Sequence, residues 1–277
     1  MITPRLKIER SFYRNGTVRE QLSFLGCQLH GTQRTWHPNG QIASEKFYQC
    51  GRMHGSCRQW NRSGTLLGSY RMTHGTGIQC EWFQDGQLQL ETATVDGKFT
   101  GRIRIWLRDG TLVAEQFAIE NRNVTPTAYA AAATKHTDWP RYPVGKAKPK
   151  FPAPDEIERR EFELQVKWLL AQKNRREALA WLEAGAKKRS LGLFKFSHAR
   201  QLVQKIYAAN ALQIIVVNIY EGKTGKQFSD ALLVKLPLEK STRHAIRRLL
   251  TKLPTKLRAG VLPVRDHGEE FLFASFV

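Results

Sequence analysis

Side chains able to hold a soft metal ion or to act as nucleophiles cluster in the first 80 residues of this 277-residue chain, among them Cys27, His30, Cys50, His54, Cys57, His74 and Cys80. Zinc sites draw on such ligands, usually in pairs two to four residues apart. Cys27 and His30 have that spacing, whereas the residue three after Cys57 is Trp60. His30 and His54 each precede a glycine, which reads as a repeated structural position, so no metal site is assigned. Calcium at the Asp-Gly turns fails because no unit supplies enough oxygen ligands. Acid–base catalysis has His244 and His267 as its nearest candidates. No nucleophile elbow, H-E-x-x-H motif or pair of carboxylates at helical spacing in an apolar setting accompanies them. Gly222, Lys223, Thr224, Gly225 and Lys226 resemble a phosphate cradle, but the spacing is G-x2-G-K and Gln227 stands where Ser or Thr is needed. A strand reads on from there, so this is a hairpin loop. No catalytic residue and no cofactor is assigned, and the chain reads as a non-enzyme.

Anion binding is the other chemistry that the residue types allow. The chain carries 44 Lys+Arg against 24 Asp+Glu, a net charge of +20. Residues 1–120 hold a net of +5, residues 121–154 another +5 and residues 155–277 +10. In the last segment Lys187, Lys188 and Arg189 form one cluster, and Arg243, Arg247, Arg248 and Lys252 another. Arg243 and Arg247, four apart, share a helix face. Together with a basic linker these side chains would track the phosphates of a nucleic acid or an anionic membrane surface. Against this stand the lack of interleaved aromatics for base stacking and the ordinary reading of such a face as the solvated side of an amphipathic helix.

The elements that must position these residues begin with a repeat. Trp36, Trp60, Trp82 and Trp106 are spaced 24, 22 and 24 apart. Turn dipeptides follow the same rhythm at Asn15-Gly16, Asn39-Gly40, Ser63-Gly64, Asp85-Gly86 and Asp109-Gly110. Asn-Gly and Asp-Gly favour two-residue type I′ hairpin loops, because both central residues need φ > 0. Between them lie glycine turns with G-x-x-x-G spacing at Gly51–Gly55 and Gly97–Gly101, shortened to Gly75–Gly77 in the third unit, with Cys27 replacing the leading glycine in the first. One hairpin cannot bury its own apolar side, so neighbours must continue a common sheet. The expectation is a single-layered, twisted antiparallel sheet over residues 11–120. Trp36, Trp60, Trp82 and Trp106, with aromatics such as Phe47 and Tyr48, would form a spine that contacts a protein partner.

The tryptophans, the Gly turns and Glu45, Glu91 and Glu115 at matching positions resemble the MORN-repeat-variant family, which is common in bacteria and often labelled antitoxin-like. Gln21 and Ser69 stand where the other units have Glu. The resemblance covers about two fifths of the chain. It implies a β-hairpin platform that binds a protein partner or a membrane surface.

Residues 121–154 read as an extended basic linker, since Pro140, Pro143, Pro149, Pro152 and Pro154 each remove a backbone donor. Pro154, Asp155 and Glu156 then open a helix to about residue 172. A short helix runs to Gly185, and another from a Ser197 cap to Asn210. The apolar run 212–220 is a buried strand. A strand over 230–238, a helix from a Ser241 cap to Leu253 and a closing hairpin complete an α-β-β-α-β-β domain with helices on one sheet face. The fold class is therefore α+β: a repeat domain over 1–120, a linker over 121–154 and a small α+β domain over 155–277. No apolar run is long enough to cross a bilayer as a helix, no secretory signal is expected, and the four cysteines read as free thiols in the cytoplasm.

Overall fold

The computed structural model describes residues 5–13, 15–143, 151–185, 188–192, 194–221, 225–254 and 258–276. The chain divides into two compact units, Met1–Pro154 and Asp155–Val277, each with its own core.

The first unit is a 13-stranded antiparallel sheet whose strands follow chain order: β1 (Leu6–Phe12), β2 (Val18–Leu25), β3 (Gln28–Leu29), β4 (Gly31–Trp36), β5 (Ile42–Gln49), β6 (Arg52–Met53), β7 (Gly55–Trp60), β8 (Leu66–Thr73), β9 (Thr76–Trp82), β10 (Leu88–Val95), β11 (Lys98–Trp106), β12 (Leu112–Ile119) and β13 (Arg122–Val124). The short β3 and β6 pair only with β2 and β5. The turns at the Asn-Gly and Asp-Gly dipeptides are not of the expected type I′. At the Asn/Asp/Ser-Gly dipeptides only the glycine has positive φ, as at Gly40 (+87°). His37 N–H donates to the Gln41 carbonyl at 2.8 Å and Gly40 N–H to the His37 carbonyl at 2.9 Å, a three-residue loop closed by a glycine bulge. The side chain explains the choice. Asn39 Oδ1 accepts Gln41 N–H at 3.1 Å, and Asp85 and Asp109 do the same for the residue two on, so the Asx residue keeps ordinary φ and satisfies a donor itself. The type I′ loops lie at the other end of the hairpins. There both central residues have positive φ: Cys50 and Gly51, His74 and Gly75, Asp96 and Gly97, Glu120 and Asn121.

The expected linker starts too early. Residues 122–124 form β13, and helix α1 (Pro126–Ala133) follows. Pro126 sits at the helix start, where its missing N–H costs nothing, and Thr125 Oγ1 accepts Ala128 N–H at 3.1 Å. Tyr129 and Ala133 of α1 pack with Trp139 and Tyr142 on Phe117 of β12. The lysines of residues 144–150 lie outside the described residues.

The second unit contains α2 (Pro154–Ala171), β14 (Arg176–Glu177), α3 (Ala178–Glu183), β15 (Arg189–Leu191), α4 (Phe196–Ala208), β16 (Gln213–Val217), β17 (Tyr220–Glu221), β18 (Gln227–Ser229), β19 (Ala231–Lys235), α5 (Lys240–Thr251), β20 (Arg258–Leu262) and β21 (Phe271–Phe276). Five strands form an antiparallel sheet in the order β14-β16-β19-β21-β20, and β15, β18 and β17 form a small second sheet. The helices are on both faces of the main sheet, not one. Ile214, Val216, Leu232, Val234 and Leu272 pack against α3, α4 and α5. The alternate residues Ile215, Val217, Leu233, Phe271 and Phe273 pack against Phe162, Val166 and Leu169 of α2. A strand covered on both sides loses its polar alternation, which is why 212–220 reads as an unbroken apolar run. Two expected caps also move. Lys195 precedes α4 without a side-chain cap, and at α5 the hydroxyls of Ser241 and Thr242 donate back to Glu239, the true cap position.

Candidate interaction surface

The strand register lines up one row of alternating charge across the repeat sheet. Arg34 lies opposite Glu45, and Glu45 opposite Arg58. Further along, Arg104 lies between Glu91 and Glu115. Arg34 Nε donates to Glu45 Oε2 at 2.8 Å, and Arg58 Nη1 reaches Glu45 Oε1 at 3.6 Å. Arg104 Nη2 contacts both Glu91 oxygens at 2.9 and 3.0 Å, and Arg102 Nη1 stands 3.8 Å from Glu115. Ser69 and Cys80 hold the corresponding positions in the shortened unit, so the row has a neutral gap. The pairs are half-exposed, and each contributes little on its own. Their effect is to present a chemically regular stripe. This row was legible in the sequence as an Arg two residues before a Trp and a Glu nine residues after it, a spacing that attention to the tryptophans alone passes over.

Phe47 and Phe117 occupy equivalent places beside this row, three periods apart. Phe47 shares a strand face with Glu45, and Phe117 shares one with Glu115. Phe117 is 6% exposed, with the rings of Tyr129 and Tyr142 at 5.5 and 5.7 Å. Phe47 is 38% exposed. At the end of the sheet the chain covers its own row with a helix and aromatics, while at Phe47 the row is open.

The tryptophans stitch units together more than they present a spine. All four are half-buried, and no two stack on each other among the described residues. The Trp82 ring lies over Gly68, where a Cβ would come within 2.3 Å of it, and stacks on Tyr70 at 6.4 Å. Arg104 lies 4.9 Å above Trp106. The Trp36 carbonyl accepts Tyr13 Oη–H at 2.7 Å, and Trp60's carbonyl accepts His37 Nε2–H at 2.9 Å. Burial pushes the His37 imidazole below its ordinary value, with Arg62 adding and the bond to Trp60 opposing. Neighbouring loops are tied the same way: Asn15 Nδ2 donates to Pro38 and Asn39 Nδ2 to Arg62, at 2.8 and 2.7 Å. His30 and His54 turn out to be acceptors for the next turn, taking Cys50 N–H at 3.4 Å and His74 N–H at 3.3 Å. Thr76 and Thr100 do the same for Asp96 and Glu120. Among the described residues no group of three or more His, Cys, Asp and Glu is placed to hold a metal.

The basic residues of the second unit divide. Arg243, expected to face an external anion, is 5% exposed. Its guanidinium forks onto Asp266 and lies 3.7 Å from Glu269, so its charge is spent inside the unit. The hydrogen bonds from Arg243, outweighing the cost of burial, hold the Asp266 carboxyl down at about 2. Arg247 likewise turns inward, donating to the Pro263 and Val264 carbonyls. Arg189 donates to the Trp181 carbonyl and lies 5.7 Å above that ring. Lys188, Arg248 and Lys252 are exposed, and Lys187 lies outside the described residues. His244 and His267 are exposed, with no bond between them among the described residues. Gly222, Lys223 and Thr224 also lie outside the described residues. A cleft of about 480 Å³ between α3 and the small sheet holds Glu177, Trp181, Arg189 and Gln227. Of its two carboxylates, Glu177 and Glu221, the first is committed: Glu177 accepts Leu179 and Ala180 N–H at 3.1 and 2.7 Å and Tyr207 Oη–H at 2.7 Å. Burial, then the bond to Glu177, pushes the Tyr207 phenol up to about 12.

The model of the MORN repeat variant family matches residues 29–49, one turn-and-hairpin unit running from β3 through β5. No curated protein and no solved structure matches the chain. A MORN repeat suggests a role in interaction with proteins or membranes. No described helix is long and apolar enough to cross a membrane.

Proposed function

We propose that this chain is a non-enzymatic interaction protein whose repeat sheet binds a protein partner along the row of Arg34, Glu45, Phe47 and Arg58. The observation behind this reading is the contrast between Phe117, covered by α1 and its aromatics, and Phe47, its open equivalent. The cap indicates what suits the row: a short apolar or aromatic segment on the phenylalanine, with polar groups meeting the paired charges. In the antitoxin-like version the partner is a small toxin. Four free thiols, two of them exposed, fit a reducing cytoplasm. The test is affinity capture from the native host with the wild-type chain and with Phe47→Glu. One dominant small protein, retained by the wild type and lost with the variant, is expected. Capture of none, or equal capture by both, overturns the reading.

A second reading, binding of nucleic acid or acidic lipid, draws on the exposed Lys188, Arg248 and Lys252. It expects affinity for a DNA duplex or for anionic vesicles to fall steeply with added salt. A flat response removes it.

A further inference from the structure

The repeat sheet begins with β1, which pairs with β2 on one side and with no second strand among the described residues. Leu6, Ile8 and Phe12 on this strand are 58%, 50% and 58% exposed. Open edges are normally blunted by charge, and β1 carries charge, but of alternating sign: Lys7 and Glu9 share one face and pair with each other at 2.6 Å. In an antiparallel pair, residues set opposite one another share a face. Two copies of β1 side by side, related by a two-fold axis, must therefore be centred on a residue. Centring on Ile8 sets each Lys7 opposite the other copy's Glu9, and the two Ile8 side chains face each other. Centring on Lys7 or on Glu9 brings two like charges together at the axis. The strand is thus complementary to itself in the register centred on Ile8.

We propose that β1 pairs antiparallel with β1 of a second copy of this chain, centred on Ile8, so that the two repeat sheets become one. This uses backbone donors and acceptors that a lone edge leaves to water, and the charge pairs select the register. It is independent of the partner row and does not involve Phe47.

The proposal is tested by sedimentation velocity on the full chain across a concentration series. The wild type is expected to dimerise. Lys7→Glu and Glu9→Lys each set like charges opposite at both symmetric positions, and each should weaken the dimer by about tenfold or more. Both side chains are well exposed, 69% and 50%, so the changes leave the monomer fold intact, which circular dichroism checks. An equimolar mixture of the two variants restores opposite pairs and should form a heterodimer, and the double variant K7E/E9K should recover the homodimer. A wild type that stays monomeric, single variants that dimerise like the wild type, or a mixture that stays monomeric each overturns the proposal.

Discussion

At the scale of single residues, the tightest constraint in the repeat sheet is a missing side chain. Trp82 fits only because position 68 has no Cβ, so Gly68→Ala should destabilise the first unit by about 1–3 kcal/mol through overpacking. Urea denaturation followed by tryptophan fluorescence measures this, and an unchanged midpoint would show that the ring does not rest there. Two titrating groups fix the sign of the pH response. His37 is held below its ordinary 6.5, so the folded chain resists a proton that the unfolded chain accepts. Its contribution is complete above about pH 6.5 and declines as pH falls through that value; His37→Gln should flatten this part of the stability profile. Asp266 is held down to about 2 against an ordinary 3.8. Its contribution is present above pH 3.8 and is lost as pH falls toward 2, a loss that Asp266→Asn should remove. Neither role was legible in the sequence. Arg243 reads as one more cation on a basic helix until the carboxylate 23 residues later is brought against it.

At the scale of elements, the sequence was a good guide to where strands and helices lie and a poorer one to how they join. Regular spacing of Trp and Gly located the hairpins. It misassigned the turn types, because an Asx side chain that accepts a nearby N–H competes with the backbone geometry its dipeptide otherwise favours. Proline density hid α1, because the prolines between 140 and 154 carry the linker reading back over residues 121–139, where Pro126 stands in a helix's first turn and is compatible with it. The covered strands of the second unit implied two helical layers, and reading the helices onto one face missed this because an apolar run does not say which neighbour takes which side. Two elements carry direct predictions. Tyr129→Ala removes the ring that covers Phe117 and should cost the first unit about 3–5 kcal/mol. Phe162→Ala removes the main anchor of α2 and should cost the second unit about as much.

At the scale of the molecule, two cores imply two cooperative melts. Calorimetry of the full chain should resolve two transitions, with Tyr129→Ala lowering one and Phe162→Ala the other. A single transition shifted by both variants would show that the units unfold together. The net charge is also a property of the whole. It points first to nucleic acid, and the burial of Arg243 and the inward turn of Arg247 withdraw two of the cations expected to serve that role, while Lys188, Arg248 and Lys252 stay exposed.

The neutral gap at Ser69 and Cys80 makes the repeat sheet a ruler with one faulty mark. Every hairpin adds two strands, or about 9–10 Å of width, and is tied chiefly to its immediate neighbour, so the scale can be cut or extended by whole divisions. Glu91 follows Ser69 by one short period of 22 residues. Excising residues 69–90 as a block would therefore bring Glu91 opposite Arg58 and join the two charged stretches into one unbroken sequence, Arg34, Glu45, Arg58, Glu91, Arg104 and Glu115, on a sheet two strands narrower.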